Sequence, residues 1–120
     1  MNSLTRQIFR KKMTIVSFIS TWNTANISTG SSTASQIKLP LLNSGTYNFS
    51  VNWGDGSFNA ITSYNQAEVL HNYATAGIYT ITITGICTGW SFYNSGDKFK
   101  ITGVMKWGGL KLGKLIWLIG

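Results

Sequence analysis

Residues 46–56 read TYNFSVNWGDG, and this stretch decides the fold class. Aromatic and apolar residues occupy every second position from Tyr47 to Trp53, and polar residues lie between them. This period of two is typical of an antiparallel strand with one buried and one solvated face. The glycines on both sides of Asp55 permit positive φ and predict a tight turn directly after the strand.

Similar short segments with turn residues between them extend in both directions along the chain. The remaining predicted strands cover residues 14–21 (TIVSFIST), 36–42 (QIKLPLL), 58–64 (FNAITSY), 67–74 (AEVLHNYA), 78–84 (IYTITIT), 89–94 (GWSFYN) and 98–107 (KFKITGVMKW). Seven to eight short strands without a predicted helix or an internal repeat indicate an all-β, antiparallel sandwich.

Charge is sparse and lies mainly towards the two ends of the chain. Charged residues make up 11% of the 120 residues. The net charge of +7 combines +4 in residues 1–12 and +5 in residues 98–114 with −2 in residues 13–97. A nucleic-acid-binding sandwich would carry its basic stripe on the folded body, so we expect no nucleic-acid partner. The predicted organisation is a basic N-terminal extension (1–12), a sandwich (13–107) and an apolar, basic C-terminal tail (108–120).

The first 20 residues imitate a signal peptide, with a basic stretch followed by an apolar one. The apolar stretch is short and no small-residue cleavage site follows it, so we interpret it as the first strand. No segment is long enough to predict a transmembrane span.

Catalytic side chains are scarce. The chain has three acidic residues, one histidine (His71) and one cysteine (Cys87). This set does not suggest a nucleophile triad, a zinc site or a carboxylate pair, so we expect no enzyme activity, metal or cofactor. Cys87 lies in an apolar run and is interpreted as a buried small hydrophobic residue.

Three ordered motifs carry a family resemblance over about residues 46–84. They are the turn Trp53-Gly54-Asp55-Gly56, the pair His71-x-Tyr73 and the segment Gly77-x-Tyr79. Together they resemble the signature of PKD-type immunoglobulin-like domains, with the first turn in a contracted form. Residues 18–112 are also similar to a module that precedes BspA-type leucine-rich repeats in bacterial surface proteins, although the chain stops where those repeats would begin.

The resemblance implies a non-catalytic module for binding, adhesion or spacing, displayed outside the cell, on its surface or on a virion. Its partners would be a protein or a glycan on a surface. An alternative is a structural subunit, such as a virion decoration protein or a filament protein, that binds copies of itself. The apolar tail supports this alternative, with candidate contacts at Leu115, Ile116, Trp117 and Leu118.

The motif residues are predicted to be structural. The Asp55 carboxylate should accept backbone N–H bonds within its turn, and His71 should pack at the end of the sandwich with a backbone partner. Tyr79 has the position of a tyrosine corner, which ties its hydroxyl to the nearby backbone. Three further aromatic residues are interpreted as core, with exposure for sugar stacking as the alternative: Trp22, Trp90 and Trp107.

Overall fold

The computed structural model describes residues 17–108 and confirms an antiparallel all-β sandwich. Its seven strands are β1 (Ser17–Asn23), β2 (Gln36–Lys38), β3 (Thr46–Asn52), β4 (Phe58–Ile61), β5 (Leu70–Asn72), β6 (Ile78–Thr88) and β7 (Ile101–Lys106). The predicted extension 1–12 and nearly all of the predicted tail lie outside the described residues.

The strands form two sheets of unequal size. The large sheet has the order β4-β3-β6-β1-β7, and the small sheet pairs β2 with β5. Neighbouring strands are antiparallel throughout. The longest strand, β6, therefore lies in the middle of the large sheet, and β1 separates it from β7.

One apolar core lies between the two sheets. Alternation buries Phe49 and Val51 of β3 and Ile81 and Ile83 of β6, as the sequence pattern predicts. The small sheet adds Ile37 to the same cluster. Burial of these aliphatic and aromatic side chains from both sheets is the main force that holds them face to face.

The predicted strand at 89–94 is absent, and this expectation was wrong. Trp90 and Phe92 are both buried, so the apolar alternation is real, but the segment pairs with no strand. Tyr93 and Asn94 have φ values of 50° and 58°, which turn the chain back instead of extending it. The segment is tied to the core region by the Ser91 N–H, which donates to the carbonyl of Pro40 at 3.1 Å.

The expectation that the chain contains no helix also needs a small correction. Residues Ala67–Val69 form a single 3₁₀ turn directly before β5. The turn lets Val69 enter the core and positions His71 two residues later. Among residues 17–108, no helix has the length and apolar character needed to cross a bilayer.

Candidate functional site

We define the WGDG corner as residues 53–57 together with His71. Its turn requires glycine at position 54. Gly54 has φ +85°, and a Cβ at this position would collide with the carbonyl oxygen of Thr80. The Trp53 N–H donates to the Ser57 carbonyl at 3.1 Å and closes the turn. The Ser57 N–H donates to Asp55 Oδ1 at 3.0 Å, which confirms the predicted turn-fixing role of this carboxylate.

His71 reaches the corner from the small sheet. Its Nε2 atom lies 2.9 Å from Asp55 Oδ2, and its ring stacks on the Trp53 indole with 4.5 Å between centroids. The predicted backbone partner of His71 was therefore wrong, because the partner is a carboxylate. A charge-assisted contact of this kind is stronger than a bond between neutral groups.

The corner brings together a serine, a histidine and an aspartate, but not in the arrangement of a nucleophile triad. Asp55 and Ser57 both contact the same ring atom, His71 Nε2, and the Ser57 hydroxyl donates to Asp55. In a triad, the acid holds Nδ1 and Nε2 accepts the serine proton. Here Nε2 faces a carboxylate and must carry a proton itself, so it is not available as the base for Ser57.

The electrostatics of the corner favour a permanently ionised Asp55. Partial burial raises the pKa of this carboxyl. Hydrogen bonds from the Ser57 hydroxyl, from His71 and from the Ser57 N–H lower the pKa by a larger amount. The net result is a pKa of about 2, compared with an ordinary value of 3.8. The carboxylate therefore remains charged and paired at any pH near neutrality.

Two tyrosines complete the framework around the corner. The Tyr73 hydroxyl donates to the Trp53 carbonyl at 2.8 Å, and the Tyr79 hydroxyl donates to the Thr75 carbonyl at 2.6 Å. The second bond confirms the predicted tyrosine corner. The two rings stack with 4.0 Å between centroids, and Gly77 lies in the turn before β6.

The candidate binding tryptophans are not a surface platform. Trp22 and Trp90 are fully buried and belong to the core, so neither can stack on a sugar ring. Trp107 is half-exposed and packs against Phe18 with 5.8 Å between ring centroids. The candidate assembly contacts Leu115, Ile116, Trp117 and Leu118 lie outside the described residues.

Two buried charges close the outer edge of β2, a feature that the sequence pattern did not reveal. The Asp97 carboxylate accepts the Lys38 N–H at 2.7 Å, and Lys100 Nζ donates to the Gln36 carbonyl at 2.8 Å. The carbonyl of Gln36 and the N–H of Lys38 point away from β5, towards the side on which a further strand would pair with β2. The side chains therefore replace a neighbouring strand along this edge.

The same two charges fix the loop that precedes β2. Asp97 accepts the N–H and the hydroxyl of Ser32 at 2.7 and 2.6 Å. Lys100 Nζ also donates to the Ser32 hydroxyl at 2.9 Å and to the Thr33 carbonyl. Burial lowers the pKa of Lys100, and the nearby Asp97 opposes this shift. Hydrogen bonds to the surrounding chain thus offset the cost of burying each of these two charges.

A groove with a volume of about 370 Å³ lies beside this capped edge. We call it the β2 groove. Its volume lies at the small end of the usual range for ligand sites. Its lining combines apolar side chains with hydroxyl, amide and carboxylate groups. Its lining consists of Gly30, Ser31, Ser32, Gln36, Lys38, Leu39, Pro40, Leu41, Leu70, Ser91, Phe92, Gly96 and Asp97.

The remaining chemistry-bearing groups do not form a second site. Cys87 is buried, and burial raises the pKa of its thiol to about 12, as expected for a structural residue. Within residues 17–108, no cluster of three or more His, Cys, Asp or Glu side chains could hold a metal ion. Residues 17–108 thus form an antiparallel β-sandwich that carries the WGDG corner and the β2 groove. Comparison with protein-family models, with curated proteins and with solved structures found no match to it.

Proposed function

We propose that this chain is a non-catalytic, PKD-like module that binds a glycan through the β2 groove and is displayed on a cell or virion surface. The proposal is carried by the contrast between the corner and the groove. The polar groups of the WGDG corner contact one another, through Asp55, Ser57 and His71 Nε2. The groove, in contrast, is open and presents both polar and apolar groups.

The chemistry of the groove favours a glycan over an extended peptide. A peptide that added a strand to β2 would need the outward N–H of Lys38 and the outward carbonyl of Gln36. Asp97 and Lys100 already bond to these two groups. A saccharide needs no open strand edge, because its ring faces can contact the apolar side chains of the groove while a hydroxyl group pairs with the second N–H of the Gln36 amide, whose first N–H donates to Asn72.

The PKD-like character rests on the three sequence motifs and on how they come together. The turn at Trp53, the strand at His71 and the corner at Tyr79 are separate segments of the chain, yet their rings are joined by a continuous series of contacts. Trp53 stacks on His71, His71 meets Tyr73 edge to face at 4.6 Å, and Tyr73 stacks on Tyr79. Such joint packing supports a shared structural role for all three motifs.

A glycan array tests the proposal with a matched pair of variants. Leu70 lines the groove and is 38% exposed, and Tyr64 lies outside the groove and is 37% exposed. Leu70→Gln should reduce glycan retention about tenfold or more, because it removes apolar contact area within the groove. Tyr64→Gln should retain the binding of the wild type.

Two results would contradict the glycan proposal. The first is a wild-type chain that retains no glycan on the array. The second is a chain that binds a peptide array and loses that binding with Leu70→Gln, which would assign the groove to a protein ligand.

A second candidate function is a structural subunit that is held by its terminal segments. One observation favours it: Gly108 packs so closely on Ser17 that a Cβ would lie 2.5 Å from the Ser17 carbonyl oxygen. Ser17 and Gly108 therefore lie together at one end of the large sheet. Light scattering should then show particles of many copies that Trp117→Asp dissolves. A wild type that has the mass of one or two chains contradicts this candidate.

A further inference from the structure

The side-chain acceptors of the β2 groove are already engaged within the chain. Asp97 accepts the Ser32 N–H on Oδ1 and the Lys38 N–H on Oδ2, both at 2.7 Å. Gln36 Oε1 accepts the Thr33 N–H at 3.1 Å. A donor also occupies each of the three lining hydroxyl oxygens, those of Ser31, Ser32 and Ser91. A ligand therefore meets side chains whose oxygen atoms already hold a donor.

Two side-chain nitrogens of the lining, in contrast, keep N–H groups to offer. The Gln36 amide donates one N–H to Asn72 at 2.7 Å and has a second. The Lys38 ammonium has three N–H groups, and within residues 17–108 no carboxylate pairs with it. Side chains two positions apart on a strand point to the same face, so these two donors lie on one side of β2, with roughly 7 Å between their Cα atoms.

The charge of the groove is positive on balance. Asp97 is buried, and the equally buried Lys100 offsets its negative charge, because the Ser32 hydroxyl donates to Asp97 at 2.6 Å and accepts from Lys100 Nζ at 2.9 Å. Lys38 is exposed on the groove side of this pair. The Lys38 ammonium is thus the charge that a ligand in the groove would meet.

The charged side chains next to the groove do not cancel this cation. Glu68 lies outside the lining, and its carboxylate accepts a bond from the Gln66 amide at 3.0 Å. Lys98 also lies outside the lining and donates to Asn94. The local field at Lys38 therefore favours an anion in the groove over a cation.

We propose that the glycan of the β2 groove is acidic and that Lys38 binds its carboxylate or sulfate group. This inference rests on the proposed function and names the class of glycan. A carboxylate or a sulfate ester has oxygen acceptors and no donor, so it complements the N–H groups of Lys38 and Gln36. An ammonium group is a point charge without the planar fork of an arginine, so it suits either anion.

The neighbour of Lys38 on the small sheet completes the site. Leu70 lies directly opposite Lys38 in the pairing of β2 with β5, and both residues line the groove. Side chains of such a cross-strand pair have Cβ atoms about 5 Å apart. A sugar ring on Leu70 would therefore place a carboxylate or sulfate substituent within reach of the ammonium.

The contact with Lys38 predicts a preference that depends on salt. At low ionic strength, an acidic oligosaccharide should bind about fivefold or more tightly than its uncharged counterpart. The preference should narrow at 1 M salt, where the Debye length is about 3 Å. The apolar contact with Leu70 is not screened, so binding of the uncharged counterpart should not weaken with salt.

An array of paired oligosaccharides tests the inference with the full chain. Hyaluronan and oligogalacturonate fragments are presented beside their carboxyl-reduced forms, and chondroitin sulfate fragments beside their desulfated forms. The first two pairs report on a carboxylate and the third on a sulfate. Short fragments limit non-specific attraction to the other basic residues of the chain.

Three variants separate the anion contact from the rest of the groove. Lys38→Gln should weaken binding of acidic fragments about fivefold or more and leave their uncharged forms unaffected. Lys106→Gln removes the same charge from β7, outside the lining, and should change neither. Leu70→Gln should weaken both kinds of fragment, because it acts on the contact with the sugar ring.

Two results would overturn the acidic-glycan inference and leave the groove as a glycan site. One is retention of uncharged glycans as strong as that of their acidic forms, and lost with Leu70→Gln. The other is retention of acidic fragments that Lys38→Gln does not weaken, or that Lys106→Gln weakens equally, which would place the anion elsewhere on this basic chain. A chain that retains no glycan of any kind contradicts the proposed function itself.

Discussion

The imidazole ring of His71 lies parallel to the indole ring of Trp53, with 4.5 Å between ring centroids and 5° between ring planes. Trp53 directly follows β3 of the large sheet, and His71 belongs to β5 of the small sheet. This one contact therefore joins the two layers of the sandwich at the WGDG corner. The Asp55 carboxylate fixes the imidazole from the side through Nε2.

The ion pair at the corner predicts an acid-dependent loss of stability. The pKa of Asp55 is about 2 in the folded chain and 3.8 as the ordinary value. The unfolded chain therefore takes up a proton first as pH falls, and Asp55 stabilises the fold fully above pH 3.8 and loses this effect towards pH 2. Melting temperatures across this window should fall more steeply for the wild type than for Asp55→Asn.

The Asp55→Asn variant serves as the control here, because every other acidic group of the chain is present in both proteins and contributes equally to both. If the melting temperatures of the two proteins decreased by equal amounts as pH falls, Asp55 would have no stabilising pair in solution.

Two glycines in one turn predict a steric contrast. Gly54 and Gly56 have similar φ values, +85° and +94°, so alanine at either position is strained by about 1–2 kcal/mol. Only at Gly54 would the new Cβ collide with backbone, at the Thr80 carbonyl. Gly54→Ala should therefore lower the free energy of unfolding by about 3 kcal/mol or more, and Gly56→Ala by about 1–2 kcal/mol. Urea unfolding measures both, and equal losses would contradict the close packing of the turn against β6.

The buried lysine predicts a large effect from a substitution that preserves side-chain length. Lys100→Met removes one of the two donors to each of the carbonyls of Ser32, Thr33 and Gln36 and takes the cation away from the buried Asp97 carboxylate. The loss should be about 3 kcal/mol or more, which lowers the melting temperature by more than about 10 °C.

Lys98→Met is the matched control for this experiment. Lys98 donates to Asn94 and lies over the Phe99 ring at 4.7 Å, both of which are contacts at the surface. Its loss should cost less than about 1 kcal/mol. A melting temperature of Lys100→Met that matches that of Lys98→Met would show that the edge of β2 does not depend on the buried cation.

Local periodicity was sufficient to predict the strands that contribute most to the core. The alternation in residues 46–53 and 78–84 depends only on which face of a pleated strand is buried, and the structure places both strands as expected. The turn role of Asp55 and the hydroxyl bond of Tyr79 were equally predictable, because their partners lie within four residues.

Features that depend on distant parts of the chain were not predictable in this way. Trp90 and Phe92 alternate like strand residues, but whether they pair is decided by the left-handed turn at Tyr93 and Asn94 and by the absence of a neighbouring strand. The burial of Lys100 follows from acceptors 64 to 68 positions earlier. The residues next to Lys100 in the sequence include only one acidic residue, Asp97, in a turn. This local pattern suggests a solvent-exposed ion pair and not a buried lysine.

The side-chain cap on β2 also imposes an order of events on biosynthesis. Lys38 obtains its acceptor from Asp97, 59 positions later, and Gln36 obtains its donor from Lys100, 64 positions later. β2 and β5 are both complete when residue 72 has been made, well before either capping residue exists. A nascent chain therefore carries a bare strand edge, open to pairing with other chains, until Asp97 and Lys100 have left the ribosome. Ribosome stalling before residue 97 would prolong the period in which this chain is prone to aggregate.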